Sequence, residues 1–102
     1  MNVTICTIGE LLVEFLAKKE NQGFSQPGEF WGPYPSGAPA IFADQVAKLG
    51  FGSVLFSCVG SDAFGEMNIA RLEKDGVNVS GIAMLQKATT GSAFVSYRNQ
   101  AQ

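Results

Sequence analysis

The sequence contains no histidine and only two cysteines, Cys6 and Cys58. Without histidine, neither a Ser-His-Asp nor a Cys-His nucleophilic site can be built. Two cysteines alone also make a poor transition-metal site, so we expect no metal site in this chain. Any chemistry here must come from carboxylates, hydroxyls, lysines, arginines or backbone amides.

Cationic clusters and long apolar runs are also missing. The seven basic residues are scattered and the formal net charge is −2, so there is no basic stripe to bind a nucleic acid. The apolar runs, such as Ser53 to Val59, are far shorter than the ~20 residues of a membrane helix. We therefore expect neither a nucleic-acid partner nor a membrane partner.

The two cysteines give an indication of the cellular compartment of the protein. Each stands in a short apolar run that is typical of a strand, which predicts buried thiols, although their separation would also allow a disulfide. The first residues show no charged segment followed by an apolar one, as a secretory signal would. Free thiols without a signal favour a cytoplasmic protein.

Apolar residues make up 46% of the sequence, which is enough for a packed core. Short β-rich runs are predicted as strands at 3–8, 53–59 and 92–97, with shorter strands at 77–79 and 82–85. Helices are predicted from Pro39 to Gly50 and from Phe64 to Asp75, ended by Gly50 and Gly76. Helices that alternate with apolar strands predict βαβ units and a parallel, Rossmann-like sheet.

One segment departs from this alternation. Residues 11–16 look extended, and residues 18–35 are polar and rich in glycine, proline and aromatics. They predict either a long loop or a small β excursion from the main body. The aromatics Phe24, Phe30, Trp31 and Tyr34 lack the period of a core stripe, which favours a lid or an interface. Phe94 and Tyr97 either join them or pack in the core.

Two constellations suggest a ligand. Residues 9–14 end the first strand, where ligands collect in open α/β sheets, and the Glu14 carboxylate could accept bonds from two hydroxyls of a polyol. Residues 32–40 could turn backbone amides toward a ligand, but they lack the P-loop pattern and the GxGxxG of a dinucleotide site. A solvated edge glutamate and an ordinary loop are the alternatives. For Asp62, capping of the following helix is sufficient explanation.

Three stretches, taken in order, resemble the PfkB (ribokinase) family of carbohydrate kinases. They are Gly9-Glu10 to Glu14, then Ser36-Gly37-Ala38-Pro39-Ala40 to Gly50, then Val59 to Gly65 with Leu72 and Asp75-Gly76-Val77. The run at 32–42 is most similar to kinases of tagatose or fructose, and 2-keto-3-deoxygluconate kinases are also similar.

The resemblance implies an α/β fold: a Rossmann-like parallel sheet with helices on its faces plus a small β-sheet lid, here incomplete. Residues 1–102 would be the amino-terminal part of one ribokinase-like domain, with lid segments at about 11–35 and about 84–102. The substrate-binding positions implied are Glu14, Ser36, Gly37 and Ile41, where Ile41 stands in place of an asparagine that many members have. The implied lid residues are Trp31, Tyr34, Phe94 and Tyr97, and lids of this family often pair between subunits, which implies a homodimer.

The same resemblance implies what this chain does not carry. The family's late GAGD-type motif supplies the catalytic aspartate and the anion hole, and nothing after Arg98 resembles it. We therefore expect no catalytic residue in this chain and no turnover by it alone, with ATP and Mg²⁺ used by a full-length parent that phosphorylates a small-molecule sugar. The alternatives are a non-catalytic sugar-binding or dimerisation module and a nucleoside kinase.

Overall fold

A computed structural model describes residues 3–99. Its elements in chain order are β1 Thr4–Ile8, β2 Leu12–Ala17, β3 Phe30–Ser36, α1 Ala38–Lys48, β4 Gly52–Gly60, α2 Ala63–Lys74, β5 Ile82–Leu85 and β6 Gly91–Val95. The predicted strands and helices are found within a few residues of their expected places, except the short strand predicted at 77–79, where the structure has an isolated bridge between Asn78 and Val54. The segment that breaks the βαβ alternation forms strands, so it is the β excursion and not a long loop.

The first sheet, which we call the body sheet, has the strand order β1-β4-β5 and is parallel throughout. Both βαβ crossovers step in the same direction along this sheet. Because such crossovers are right-handed, both helices fall on the same face. The core between them is built from apolar side chains of the helices and the sheet, among them Ala43, Leu55, Val59, Leu72 and Ile82.

The other face of the body sheet is open within residues 3–99, and this corrects one prediction. Cys6 and Cys58 are both free and exposed, not buried. They lie on the open face, since alternate residues of a strand point to opposite sides. Cys6 is aligned with Val54, four residues before Cys58 on the neighbouring strand. That offset separates the two Cα atoms by ~14 Å, twice what a disulfide can span.

The second sheet, which we call the lid sheet, has the order β3-β2-β6. β2 pairs antiparallel with β3 and parallel with β6. It draws on both predicted lid segments, but Ile82–Leu85 pairs with β4 of the body sheet, so the later lid segment begins after it. Residues 100–102 of that segment lie outside the described residues.

The ends of the helices follow the predicted signals. Pro39 lies in the first turn of α1, Asp62 caps α2 by accepting a bond from the Gly65 amide, and Gly50 and Gly76 follow the two helices with positive φ. Between residues 3 and 99, neither helix is long and apolar enough to cross a membrane.

A network of ion pairs joins the C-terminal parts of the two helices. The Asp44 side chain, 2% exposed, lies 3.2 Å from an Arg71 guanidinium nitrogen and 3.4 Å from Lys48 Nζ. Asp75 also pairs with Lys48 and Arg71. Burial raises the pKa of Asp44, and the neighbouring Asp75 acts in the same direction, while Arg71 opposes the rise.

Candidate functional site

A cleft of about 690 Å³ opens where the two sheets meet. Its walls come from the end of β1, from the later half of β4 and the start of β5, and from the first residues of the lid strands. The lining residues include Ile8, Gly9, Leu12, Phe56, Cys58 and Gly91. Ligands of open parallel sheets bind at this edge, because strand ends and loops converge there. The cleft is therefore the candidate site.

Glu14 lies on the face of the lid sheet that meets this cleft. Leu12 and Gly91 line the cleft, and Glu14 follows Leu12 by two residues, so the two side chains share a face. Glu14 is aligned with Tyr34 on one side and Ala93 on the other. No hydrogen bond or ion pair within residues 3–99 engages its half-buried carboxylate.

Ser36 ends β3 and Gly37 precedes α1, and both lie near the start of β2. Ser36 is aligned with Leu12, so it lies on the same face of the lid sheet as Glu14. Gly37 is buried and adopts φ 103°, and a Cβ there would lie 2.6 Å from the backbone oxygen of Glu10. The segment between β1 and β2 and the segment between β3 and α1 thus touch backbone to backbone, which only glycine permits.

Ile41 lies in the first turn of α1 with 48% of its surface exposed. Like Glu14, Ser36 and Gly37, it is absent from the described residues that line the cleft, and its hydrocarbon side chain offers a sugar hydroxyl no hydrogen bond. Its place as a substrate-binding position therefore stays a prediction.

The four predicted lid aromatics do not form one surface. A bulge in β3 aligns Trp31 with Leu16 and Tyr34 with Glu14, so both rings lie on the Glu14 face although they are three residues apart. Phe94 is aligned with Phe15 and stacks on it at 5.0 Å between ring centroids, on the opposite face. Tyr97 follows β6 and is 65% exposed. The lid residues are therefore divided between the cleft side and the outer side.

An outer aromatic row continues from Phe94. Phe30 meets Phe94 edge-on and stacks on Phe24, while Phe15 contacts Phe64 of α2. These phenylalanines run from the body to the tip of the lid, and a small groove of about 400 Å³ lies beside them. Ring contacts of this kind stabilise by ~1 kcal/mol each beyond the area that they bury.

Asp62 does more than cap α2, which the sequence did not reveal. Its carboxylate also accepts bonds from the Thr90 amide at 2.9 Å and the Thr90 hydroxyl at 2.7 Å. These bonds lower the pKa of Asp62, and the bonds from Thr90 have the largest effect on it. Asp62 therefore stabilises the fold above the ordinary pKa of aspartate, and this contribution is lost as the pH falls through the lowered value.

Asn68 is the second residue that sequence reasoning missed. It is fully buried in α2, and its amide donates to the carbonyl oxygens of Leu12 at 3.2 Å and Phe64 at 3.1 Å. Polar residues in amphipathic helices face solvent by default, so no pattern in the sequence singled it out.

The described residues include no group of three or more acidic or thiol side chains placed to hold a metal ion. This part of the chain thus offers hydroxyl-binding groups and backbone amides. No Mg²⁺ cage is found among these residues, so no step of a reaction is assigned to a metal here.

Solved structures match this arrangement over nearly its whole length. The E. coli protein provisionally called ribokinase II, in its apo form, superposes with a TM-score of 0.92 and 56% identity, over 97% of this chain and 32% of its own. An uncharacterised sugar kinase from Pyrococcus horikoshii superposes with a TM-score of 0.85 and 37% identity, over 96% and 32% of the two chains.

Curated sequences agree with the structures. Fructokinase-2 of rice (Oryza sativa subsp. japonica) is 33% identical over 96% of this chain and 29% of its own length. The chain thus spans about 30% of the length of the curated relatives that it matches. The profile described as pfkB family carbohydrate kinase matches residues 3–102. With the lid sheet, the parallel body sheet and the cleft between them, this shows that the chain belongs to the pfkB family of carbohydrate kinases.

Proposed function

We propose that the gene product containing this chain transfers phosphate from ATP to a hydroxyl of a small sugar, and that this chain supplies the sugar-binding face and the lid. The observation that carries the proposal is the Glu14 carboxylate. It lies on the cleft side of the lid sheet, beside Ser36, with no internal partner in residues 3–99. A carboxylate left free to accept bonds at a cleft suits a ligand with adjacent hydroxyls.

The proposed substrate is a ketohexose such as tagatose or fructose, or 2-keto-3-deoxygluconate. Fructokinases among the relatives support the first class. The exposed free thiols support the cytoplasmic location that we propose for the enzyme.

ATP and Mg²⁺ are proposed as the cofactors of the complete enzyme. Structures of the E. coli relative with ATP and Mg²⁺, and of the P. horikoshii relative with ATP, support this. Phosphoryl transfer needs positioning, charge neutralisation and a base for the hydroxyl proton. The described residues contribute to positioning, so we assign no catalytic residue to this chain.

The test is a coupled ATPase assay of the complete gene product against a panel of sugars that includes fructose, tagatose, 2-keto-3-deoxygluconate and adenosine. We expect sugar-dependent ADP release by the complete product and none by residues 1–102 alone. Calorimetry of residues 1–102 with the same sugars tests the module alternative. No sugar binding together with a stable dimer would favour a dimerisation module. Turnover with adenosine but no sugar would establish a nucleoside kinase instead, and no turnover with any acceptor would contradict the proposal.

We also propose that the enzyme forms a homodimer through the lid. Trp31, Phe94 and Tyr97 each expose more than half of their surface, and both outer strands of the lid sheet have a free edge within residues 3–99. A Trp31→Glu variant is expected to halve the mass measured by light scattering, because it buries a charge at the interface. Gln26→Glu, on an exposed lid loop, is the control and should stay dimeric. A monomeric wild-type protein would refute this proposal.

A further inference from the structure

Three passages of the chain join the lid sheet to the body sheet. The first lies between β1 and β2, the second between β3 and α1, and the third between β5 and β6. The lid carries Glu14, so the angle at which these passages hold the lid decides where the carboxylate stands over the cleft. The contacts that fix the third passage are made by Asp62 and Thr90, neither of which lines the cleft.

Thr90, at the end of the third passage, is hydrogen-bonded to residues of the body. It is 4% exposed, and both its amide and its hydroxyl donate to the Asp62 carboxylate. Its hydroxyl oxygen in turn accepts a bond from the Gly60 amide at 3.0 Å. The next residue, Gly91, begins β6. The start of this lid strand is therefore tied to the end of β4 and the start of α2.

The packing around this contact leaves no room for adjustment. A Cβ at Gly60 would lie 2.5 Å from the Ala88 oxygen and 2.6 Å from the Thr90 nitrogen. A Cβ at Gly65 would lie 2.3 Å from the Gly60 oxygen. Backbone segments of β4, α2 and the third passage thus touch directly, and a lost hydrogen bond cannot be replaced by water without moving them.

Asn68 fastens the neighbouring lid strand to the same helix. Its amide donates to the carbonyl oxygen of Leu12, the first residue of β2 and two residues before Glu14. Its own side-chain oxygen is buried without a hydrogen-bond partner. The bond to Leu12 therefore offsets part of the free-energy cost of burying the Asn68 amide.

We propose that Asp62, Thr90 and Asn68 are positioning residues that set the lid sheet, and with it Glu14, over the sugar. β2 and β6 are paired side by side, with Glu14 aligned to Ala93. β2 begins at Leu12, which Asn68 of α2 binds, and β6 begins directly after Thr90, which is bound to the Asp62 cap. The inference rests on the proposed function, because its readout is the affinity for the sugar.

The experiment is steady-state kinetics of the complete gene product carrying Thr90→Val, which keeps the shape and removes the hydroxyl. We expect the KM for the sugar to rise about tenfold, which corresponds to the loss of a ~1.4 kcal/mol interaction, while the KM for ATP changes less than twofold. Thr90→Ser, which keeps the hydroxyl, should restore the sugar KM to within threefold of wild type. Asn68→Ala should show the same split between the two substrates and is the second variant if Thr90→Val does not fold.

Leu72→Ala is the matched control, because it removes a buried α2 side chain of the body core and lowers stability without removing a hydrogen bond to the lid. Its sugar KM should stay at the wild-type value. An unchanged sugar KM in both Thr90→Val and Asn68→Ala, or an equal rise in Leu72→Ala, would overturn the positioning role and leave the kinase proposal intact. A wild-type protein without sugar turnover would instead overturn the kinase proposal, and this inference with it.

Discussion

An Arg71→Met variant is expected to unfold with about 3 kcal/mol less free energy than the wild-type protein. Arg71 is the nearest cation to Asp44, whose side chain is 2% exposed. Removing one partner of a buried ion pair leaves the other charge uncompensated, which costs 3–5 kcal/mol in comparable sites. We place the loss at the lower end because Lys48 still lies 3.4 Å from Asp44. Folded domains are stable by only ~5–15 kcal/mol, so this is a large fraction.

The pH dependence of the loss identifies its cause. Burial already raises the pKa of Asp44, and Arg71 opposes the rise. Without Arg71 the pKa rises further, and a group whose pKa is raised on folding destabilises the fold as the pH climbs through that value. Relative to wild type, Arg71→Met should therefore lose the least free energy of unfolding near pH 4 and the most above neutral pH. Urea unfolding at several pH values measures this difference.

Two variants test the explanation. Lys74→Met removes a cation from the exposed side of the same helix and should change the stability by no more than ~0.5 kcal/mol. Asp44→Leu combined with Arg71→Met replaces the pair by apolar groups and should recover most of the loss. A double variant as unstable as Arg71→Met alone would show that the guanidinium stabilises the fold by something other than neutralising Asp44.

The element order of this chain could be predicted because its signals are local. Pro39, Gly50, Asp62 and Gly76 mark helix ends by their own backbone or side-chain chemistry, and each lies where the structure needs it. The three ordered motifs then identified the family, which the fold and the relatives confirm. Local chemistry also predicted the cap at Asp62.

The features that the sequence did not predict depend on contacts between distant segments. No sequence pattern singled out Asp44 or Asn68, yet α1 and α2 share one face of the sheet and bury both. The same one-sided packing leaves Cys6 and Cys58 exposed. The bond between Asp62 and Thr90 spans 28 residues. The common face of Trp31 and Tyr34 follows from a bulge, and the opposite face of Phe94 from its pairing with Phe15, and both require the strand register. No local pattern carries this information.

The largest functional effect is expected at Glu14. In the complete gene product, Glu14→Gln keeps the size of the side chain and removes its charge. A hydrogen bond to a charged group contributes ~1.5–3 kcal/mol, so two weakened bonds to sugar hydroxyls correspond to a fall of about 100-fold or more in kcat/KM for the sugar. The KM for ATP should change little. Because Glu14 has no internal partner in residues 3–99, the melting temperature should stay within a few degrees.

A loss of kcat/KM without a loss of stability distinguishes a sugar-binding Glu14 from a solvated surface glutamate. Glu20→Gln, an exposed acid on the loop after β2, removes the same charge from the lid without facing the cleft, and it should keep the wild-type kcat/KM. If Glu14→Gln retained sugar kcat/KM within threefold of wild type, the carboxylate would be a solvated edge residue. If it lost activity together with its melting transition, Glu14 would be structural. Only a large loss of sugar kcat/KM in a fully folded variant places the sugar hydroxyls against Glu14, because the fold itself leaves that carboxylate unpaired.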